Sequence, residues 1–170
     1  AFSDYVPNNV LAEVASQCLT EIGPPQWTDA DYELAGNFLA PYNDTTRSAI
    51  RMDLAQAFGV KQAEAVLQRP LHSAVTPLNR NLHNYVSGST DVGDVVYAVP
   101  TLNLHVATAC LGNVGHTWQM TAQAGSVLGH KGLLTAAKAI ALASIRTMES
   151  PETMAAAREE YIAKTGGVYD

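Results

Sequence analysis

Three short clusters of polar residues carry side chains that can do hydrolytic or metal chemistry. The first runs from Gly88 to Asp94 and places Asp91 and Asp94 three residues apart, beside glycines and hydroxyl groups. Because catalytic groups commonly lie in loops, these two carboxylates are candidates for a site. The local sequence alone favours a simpler interpretation, in which Ser89, Thr90 or Asp91 caps a turn and Asp94 is solvated.

The second and third clusters each contain a histidine. His116 lies in the glycine-rich stretch 112–119, and His130 lies between Gly129 and Lys131. Neutral imidazole is a common ligand for zinc, manganese or nickel. His130 is also expected where a helix begins, so that free backbone N–H groups and the charge of Lys131 would favour an anion nearby.

The other histidines have weaker claims to a functional role. His72 and His83 lie in unpatterned surroundings and are predicted to be structural, whereas His105 is ambiguous. The sequence contains no Cys or His pair at tight metal-ligand spacing, no GxSxG, no P-loop and no GxGxxG followed by an acidic residue. Glu159 and Glu160 are expected on a solvated helix face.

Composition and charge limit the classes of protein to which this chain can belong. The 170 residues are 47% hydrophobic and 15% charged, which is typical of one globular domain. The formal net charge of -6 argues against nucleic acid as a partner. No apolar run approaches the roughly 20 residues that cross a bilayer, so no membrane is expected. Cys18 and Cys110 show no paired spacing, and a reducing cytoplasm is the expected location.

Helices are predicted from capping residues and from apolar spacing. Asn8 or Asn9 starts a helix that ends before Gly23, and Thr28 starts another that reaches about Leu39. The remaining predicted helices are 45–59, 62–68, 131–148 and a terminal one that opens at Ser150-Pro151.

Two β-prone runs make an α/β fold the expected class, in preference to an all-α bundle. Val95–Val99 and Leu102–Ala109 are predicted strands, separated by Pro100. The predicted helix 131–148 is apolar on most sides and is therefore expected to be buried, against a sheet. The predicted fold is α/β, with helices packed on a small sheet and residues 1–170 in one domain. So thin a sheet indicates that part of the domain is missing.

Taken together, three segments resemble a known family in their residues, order and spacing. They are GSTDVGDVVYAVPT from Gly88, NVGHTWQ from Asn113 and GHKGLLTAAKAIA from Gly129, and they resemble the end of p-aminobenzoyl-glutamate hydrolase-like amidohydrolases. That family belongs to the metal-dependent exopeptidases and aminoacylases. The resemblance implies the C-terminal segment of a zinc-exopeptidase-like catalytic domain, without the lid and dimerisation domain and without the N-terminal half.

The resemblance also implies roles for individual residues. His116 corresponds to the last metal ligand, Asp91 to an acidic position of the active-site loop, and His130 is a second candidate for either role. The implied cofactor is a pair of divalent ions, zinc or manganese. The implied substrate is an N-acyl amino acid or a small peptide-like amide similar to p-aminobenzoyl-glutamate, and a homodimer is implied only for the intact protein.

A second hypothesis comes from what the resemblance lacks. The family's other metal ligands and its glutamate base lie upstream of the lid domain, and no substitute for them is visible in these 170 residues. The chain alone is therefore expected to be inactive. The alternative is a truncated, non-catalytic relative that acts as a binding or interaction module.

Overall fold

The structure is a computed structural model that describes residues 3–78 and 90–167. Within these two ranges all regular secondary structure is α-helical. The helices are α1 (Asn9–Ile22), α2 (Asp29–Leu39), α3 (Asp44–Phe58), α4 (Val60–Gln68), α5 (Val92–Ala98), α6 (Trp118–Ala124), α7 (Val127–Met148) and α8 (Pro151–Thr165). None of these helices is both long and apolar enough to cross a membrane.

The predicted α/β fold, with helices packed on a small sheet, is wrong. The first β-prone run lies mostly in α5, and the second forms no strand in the described chain. β-branched residues lower helix propensity by only a few tenths of a kcal/mol, so burial of Val96, which is 2% exposed, can outweigh it. Residues 102–109 make no backbone ladder to another described segment, and a strand needs a partner.

Capping residues set the ends of several helices, as predicted. The Thr28 hydroxyl accepts a hydrogen bond from the N–H of Asp31 at 3.3 Å, and the Asp31 carboxylate accepts one from the N–H of Thr28 at 2.7 Å. The Ser150 hydroxyl caps α8 by accepting from the N–H of Thr153, and Gly166 ends that helix with φ 82°. Both caps satisfy N–H groups that have no partner inside the helix.

The chain divides into two compact units. The first unit comprises Ala1–Ile22, Val75–His105 and Ala137–Asp170. In it α1 packs against α8, where the Asn8 side chain donates a hydrogen bond to the carbonyl of Ala157 at 2.8 Å. The buried Tyr161 hydroxyl donates to the carbonyl of Tyr97 at 2.6 Å, so α8 also contacts α5.

The second unit comprises Gly23–Ala74 and Val106–Ala136 and contains two apolar clusters. Their buried members are Ala35, Leu71, Cys110 and Leu128 in one, and Ile50, Leu54 and Ala63 in the other. The Trp27 indole donates to the carbonyl of His72, whose ring lies 6.4 Å from that of Phe58. The His72 ring thus lies near an aromatic neighbour, while His83 lies outside the described residues.

Helix α7 differs from its prediction in two respects. It begins at Val127, four residues before the expected start at Lys131. It is also not mostly buried within the described chain, because Leu133, Leu134 and Met148 are 63%, 62% and 67% exposed. A helix that is apolar on most sides is expected to be buried by other parts of the protein, but the described residues bury only some sides of α7.

Candidate functional site

His116 lies in a short loop, residues 110–117, that leads into α6. At one end Cys110 is buried in an apolar cluster, and at the other Thr117 caps α6 by accepting from the N–H of Met120 at 3.4 Å. Gly112 has φ 83°, and a Cβ there would lie 2.5 Å from the side chain of Ile50. Glycine is therefore required at this turn, which fixes the path of the loop.

Hydrogen bonds hold this loop at several points along its length. The N–H of Leu111 donates to the carbonyl of Pro70 at 2.7 Å, and the N–H of Val114 donates to the Tyr42 hydroxyl at 3.1 Å. The Thr117 hydroxyl donates to the carbonyl of Val114 at 2.7 Å. A loop held in this way can keep an exposed side chain in one place.

His116 is that exposed side chain, and its backbone is strained. Its φ of 57° is the one positive value among the non-glycine residues of the described chain. Left-handed backbone costs such a residue about 1–3 kcal/mol and persists only where the surroundings impose it. Residues with this strain cluster at functional sites, so the observation favours a functional interpretation of His116.

The residues next to His116 in sequence expose apolar side chains. Val114, Trp118 and Met120 are 36%, 63% and 42% exposed. Trp118 combines a large apolar ring with an N–H donor, a pairing that is common where proteins bind ligands. Apolar side chains are therefore exposed on both sides of His116 along the sequence.

Cys110 cannot serve as a nucleophile in this loop. Burial raises the pKa of its thiol to about 11, even though a hydrogen bond with the Gln123 side chain acts in the opposite direction. The thiol is therefore protonated at neutral pH, and only a thiolate is a strong nucleophile. Cys110 acts as part of the core.

His130 lies one turn inside α7 rather than at its first residue. Its N–H donates to the carbonyl of Ser126 at 3.0 Å, and the Ser126 hydroxyl accepts from the N–H of Leu128. The backbone N–H of His130 is therefore paired with Ser126 and is not available to an anion. The His130 side chain is exposed.

The neighbouring Lys131 is engaged inside the second unit. Its ammonium donates to the Asp31 carboxylate at 2.5 Å and to the carbonyl of Gln26 at 2.9 Å. Burial alone would raise the pKa of Asp31, but hydrogen bonds from Lys131 and Thr28 outweigh it and lower the pKa below its usual value. The charge of Lys131 is thus neutralised by Asp31 instead of serving a ligand.

The two glycines that flank His130 and Lys131 have a packing role. A Cβ on Gly129 would collide with the carbonyl of Ala124, and one on Gly132 would collide with the carbonyl of Ala107. Glycine lets α7 approach these backbones closely. The Gly-His-Lys-Gly motif therefore has a structural explanation that does not depend on chemistry at His130.

Asp91 and Asp94 lie in the first unit, while His116 and His130 lie in the second. Asp91 is exposed and precedes α5 without a capping hydrogen bond from its side chain. The pKa of Asp94 is lowered by a hydrogen bond from the side chain of Ser3 and, to a smaller extent, by one from its backbone. Residues 88 and 89 of this cluster fall outside the described ranges.

Among the described residues, the predicted metal ligand His116 is not part of a complete metal site. Across residues 3–78 and 90–167, no three His, Cys, Asp or Glu side chains gather in a group that could hold a metal ion. Protein sites for zinc usually have at least three protein ligands. The described residues therefore do not fit a zinc or manganese pair on their own.

Comparison with known proteins gives one informative relative. It is a subunit of the p-aminobenzoyl-glutamate hydrolase of Escherichia coli (strain K12), and it is 29% identical to this chain over 152 residues. The alignment covers 85% of this chain and 31% of the relative, so the chain spans about a third of that protein's length. No family model matches the chain, and no solved structure matches it.

Sequence reasoning missed two residues that support the His116 loop. The amide of Gln123 is completely buried beneath it, and the Tyr42 hydroxyl accepts a hydrogen bond from it. Tyr42 lies 72 residues away in sequence, so no local pattern identifies it. For Gln123 one signal was present, because Thr117 is a recognisable helix cap that places Gln123 within the following helix.

Proposed function

We propose that this chain is part of an amidohydrolase that cleaves an N-acyl amino acid or a small peptide-like amide, with p-aminobenzoyl-glutamate as the model substrate. The observation that carries the proposal is the similarity to a hydrolase subunit over 85% of this chain. The strained and exposed His116 supports it independently, because such strain is characteristic of functional positions.

In this proposal His116 contributes a metal ligand, and Asp91 and His130 are further candidates for a role in hydrolysis. Zinc or manganese would supply a Lewis acid and an activated water once bound. Since the described residues do not complete such a site, the proposal requires further ligands from outside the described ranges. His116 itself has a defined task here, which is to present an imidazole from a loop held at several points.

A non-catalytic binding module is the second candidate. It is favoured by the missing metal-ligand group among the described residues. Sequencing the DNA around this coding segment discriminates the two hypotheses. An open reading frame that continues upstream through a histidine-containing metal motif supports the enzyme, whereas a start codon immediately before residue 1 supports the module.

Hydrolysis by the longest natural form of the protein tests the proposed activity. Release of glutamate from p-aminobenzoyl-glutamate would be measured with added zinc or manganese, together with metal content. His116→Ala is expected to lower the rate by about 100-fold or more, since loss of a first ligand exceeds the roughly 10–100-fold effects of outer-shell changes. Unchanged rate and metal content would refute the assignment of His116.

His105→Ala is the matched control, because His105 is also exposed and has no assigned role. It should leave hydrolysis unchanged. The 170-residue chain by itself is expected to show no turnover above background with either metal. A homodimer of the intact protein and a cytoplasmic location belong to the same proposal, and gel filtration and cell fractionation of the longest form would test them.

A further inference from the structure

Gln123 makes three hydrogen bonds from a completely buried side chain. It is 0% exposed, and its carbonyl oxygen accepts from the N–H of Cys110 at 2.8 Å. Its amide nitrogen donates to the Asn113 side chain at 2.7 Å and to the carbonyl of Gln119 at 3.2 Å. A buried amide is costly unless it is paired, so these bonds fix both Gln123 and its partners.

The bonds of Gln123 hold the first half of the His116 loop. They reach Cys110 and Asn113, and the N–H of Asn113 also donates to the carbonyl of Cys110 at 3.2 Å. The amide nitrogen of Asn113 is in turn 2.9 Å from the sulfur of Met120. One side chain of α6 therefore ties together the two ends of a turn that lies three residues before His116.

His116 depends on its surroundings because its own backbone is strained. The second half of the loop is held at Val114 and Thr117, so His116 lies between two fixed positions. Asn113 directly precedes Val114, so releasing the first half would remove one of the anchors on the N-terminal side of His116. We expect His116 then to relax out of its left-handed conformation, since strain persists only where the structure imposes it.

We infer that Gln123 is a positioning residue, whose buried amide holds the loop so that His116 is presented in a single backbone conformation. The consequence for hydrolysis rests on the proposed function, in which His116 is a metal ligand. The consequence for the loop itself does not.

NMR spectroscopy of the 170-residue chain tests the structural half. Gln123→Met keeps the length of the side chain and removes its hydrogen bonds. It is expected to speed amide exchange at Cys110 by about tenfold or more, the loss of one typical hydrogen bond. It should also change the value of the backbone coupling constant and the strength of the intraresidue NOE at His116, because both report its positive φ.

Gln119→Met is the matched control. Gln119 lies one turn earlier on the same helix and is 5% exposed, and its side chain makes no hydrogen bond to the loop. This variant should leave the signals of Cys110 and His116 unchanged. If Gln123→Met fails to fold, Asn113→Ala removes a loop partner from a less buried position and should shift His116 in the same direction.

Unchanged exchange at Cys110 and unchanged φ at His116 in the folded variant would overturn the inference. Hydrolysis by the longest form separates it from the proposed function. If Gln123→Met alters His116 but His116→Ala leaves the rate intact, the proposed function fails and the positioning role stands. If His116→Ala abolishes hydrolysis while Gln123→Met leaves His116 unmoved, the positioning role fails.

Discussion

At the scale of single residues, the left-handed backbone of His116 gives a direct test of strain. In such a conformation glycine avoids a cost of roughly 1–2 kcal/mol that other residues bear. His116→Gly is therefore expected to be more stable than His116→Ala by about 1 kcal/mol, after allowance for the greater freedom of glycine in the unfolded chain. Urea unfolding followed by circular dichroism measures the difference.

The same pair of substitutions at His105 serves as the reference, because the backbone of His105 does not have a positive φ. There alanine should be at least as stable as glycine. Equal stability of the glycine and alanine variants at position 116 would show that φ at His116 is not imposed in solution.

The buried pair of Asp31 and Lys131 predicts a larger loss of stability than a surface pair. The side chain of Asp31 is 4% exposed and that of Lys131 is 30% exposed. Asp31→Asn is expected to cost about 1–3 kcal/mol, because it leaves a partly buried ammonium without its counter-charge. Glu64→Gln, which breaks an ion pair with Arg51 at 56% exposure on both sides, should cost at most about 1 kcal/mol.

The lowered pKa of Asp31 gives that pair a pH dependence of known sign. A carboxyl whose pKa is lower in the folded protein stabilises it above the unfolded value, here 3.8, and loses the effect as pH falls through the folded value. The stability difference between wild type and Asp31→Asn should therefore be constant from pH 7 to 5 and shrink below about pH 4. A difference that grew on acidification would contradict the sign.

At the scale of whole helices, α8 caps α1 through a residue distant in sequence. The Glu160 carboxylate accepts from the N–H groups of Asn9 and Val10, each at 3.0 Å, and from Lys164 at 2.6 Å. Burial would raise the pKa of Glu160, but the hydrogen bonds from Lys164, Asn9 and Val10 outweigh it and lower that pKa. The expected solvated position is therefore wrong for Glu160.

Removing this carboxylate should loosen the start of α1. Glu160→Ala is expected to cost about 1–2 kcal/mol in unfolding free energy and to speed amide exchange at Asn9 and Val10. Hydrogen exchange with residue resolution measures both sites. Glu159→Ala is the neighbouring control, since Glu159 is exposed and should change stability by less than about 0.5 kcal/mol. Equal effects of the two substitutions would exclude a specific cap.

The helices that were predictable are those whose ends are marked locally. Thr28 and Ser150 bind backbone groups three residues away, so their signals lie within a few positions of the helix start. The β-prone runs were wrongly predicted as strands. A strand forms only where a partner segment pairs with it, and Val96 is helical because that helix buries it against the rest of the protein. Neither the partner nor the burial is visible in a window of a few residues.

The candidate site was predictable to a similar extent. The glycine-rich stretch 112–119 indicates a loop around His116, and in the structure the loop extends as far as Thr117, after which α6 begins. Its fixed conformation depends on Gln123 and Tyr42, whose roles arise only from burial and distant contacts. Spacing identifies which residue can do chemistry, whereas packing decides whether that residue is held still.

At the scale of the whole molecule, α7 is apolar on most sides, but the described residues bury only part of its apolar surface. Ile140 and Ile145 are 53% and 48% exposed, in addition to the leucines at 133 and 134. Exposed apolar area of this kind costs about 25 cal/mol per Å² relative to burial. Isolated proteins that leave such surface uncovered bind hydrophobic dyes and associate with themselves.

Charged substitutions on α7 test whether these side chains are exposed in solution. Leu134→Lys with Ile140→Lys should reduce dye fluorescence and self-association of the 170-residue chain, because both remove exposed apolar surface. Helix content and the unfolding midpoint should stay the same, since surface changes usually cost less than about 0.5 kcal/mol. Gln62→Lys, at an exposed polar position on α4, adds charge without removing apolar surface and should leave dye binding unchanged. A large loss of helix in the double variant would instead mean that both side chains are buried, as the apolar pattern of the sequence first predicted.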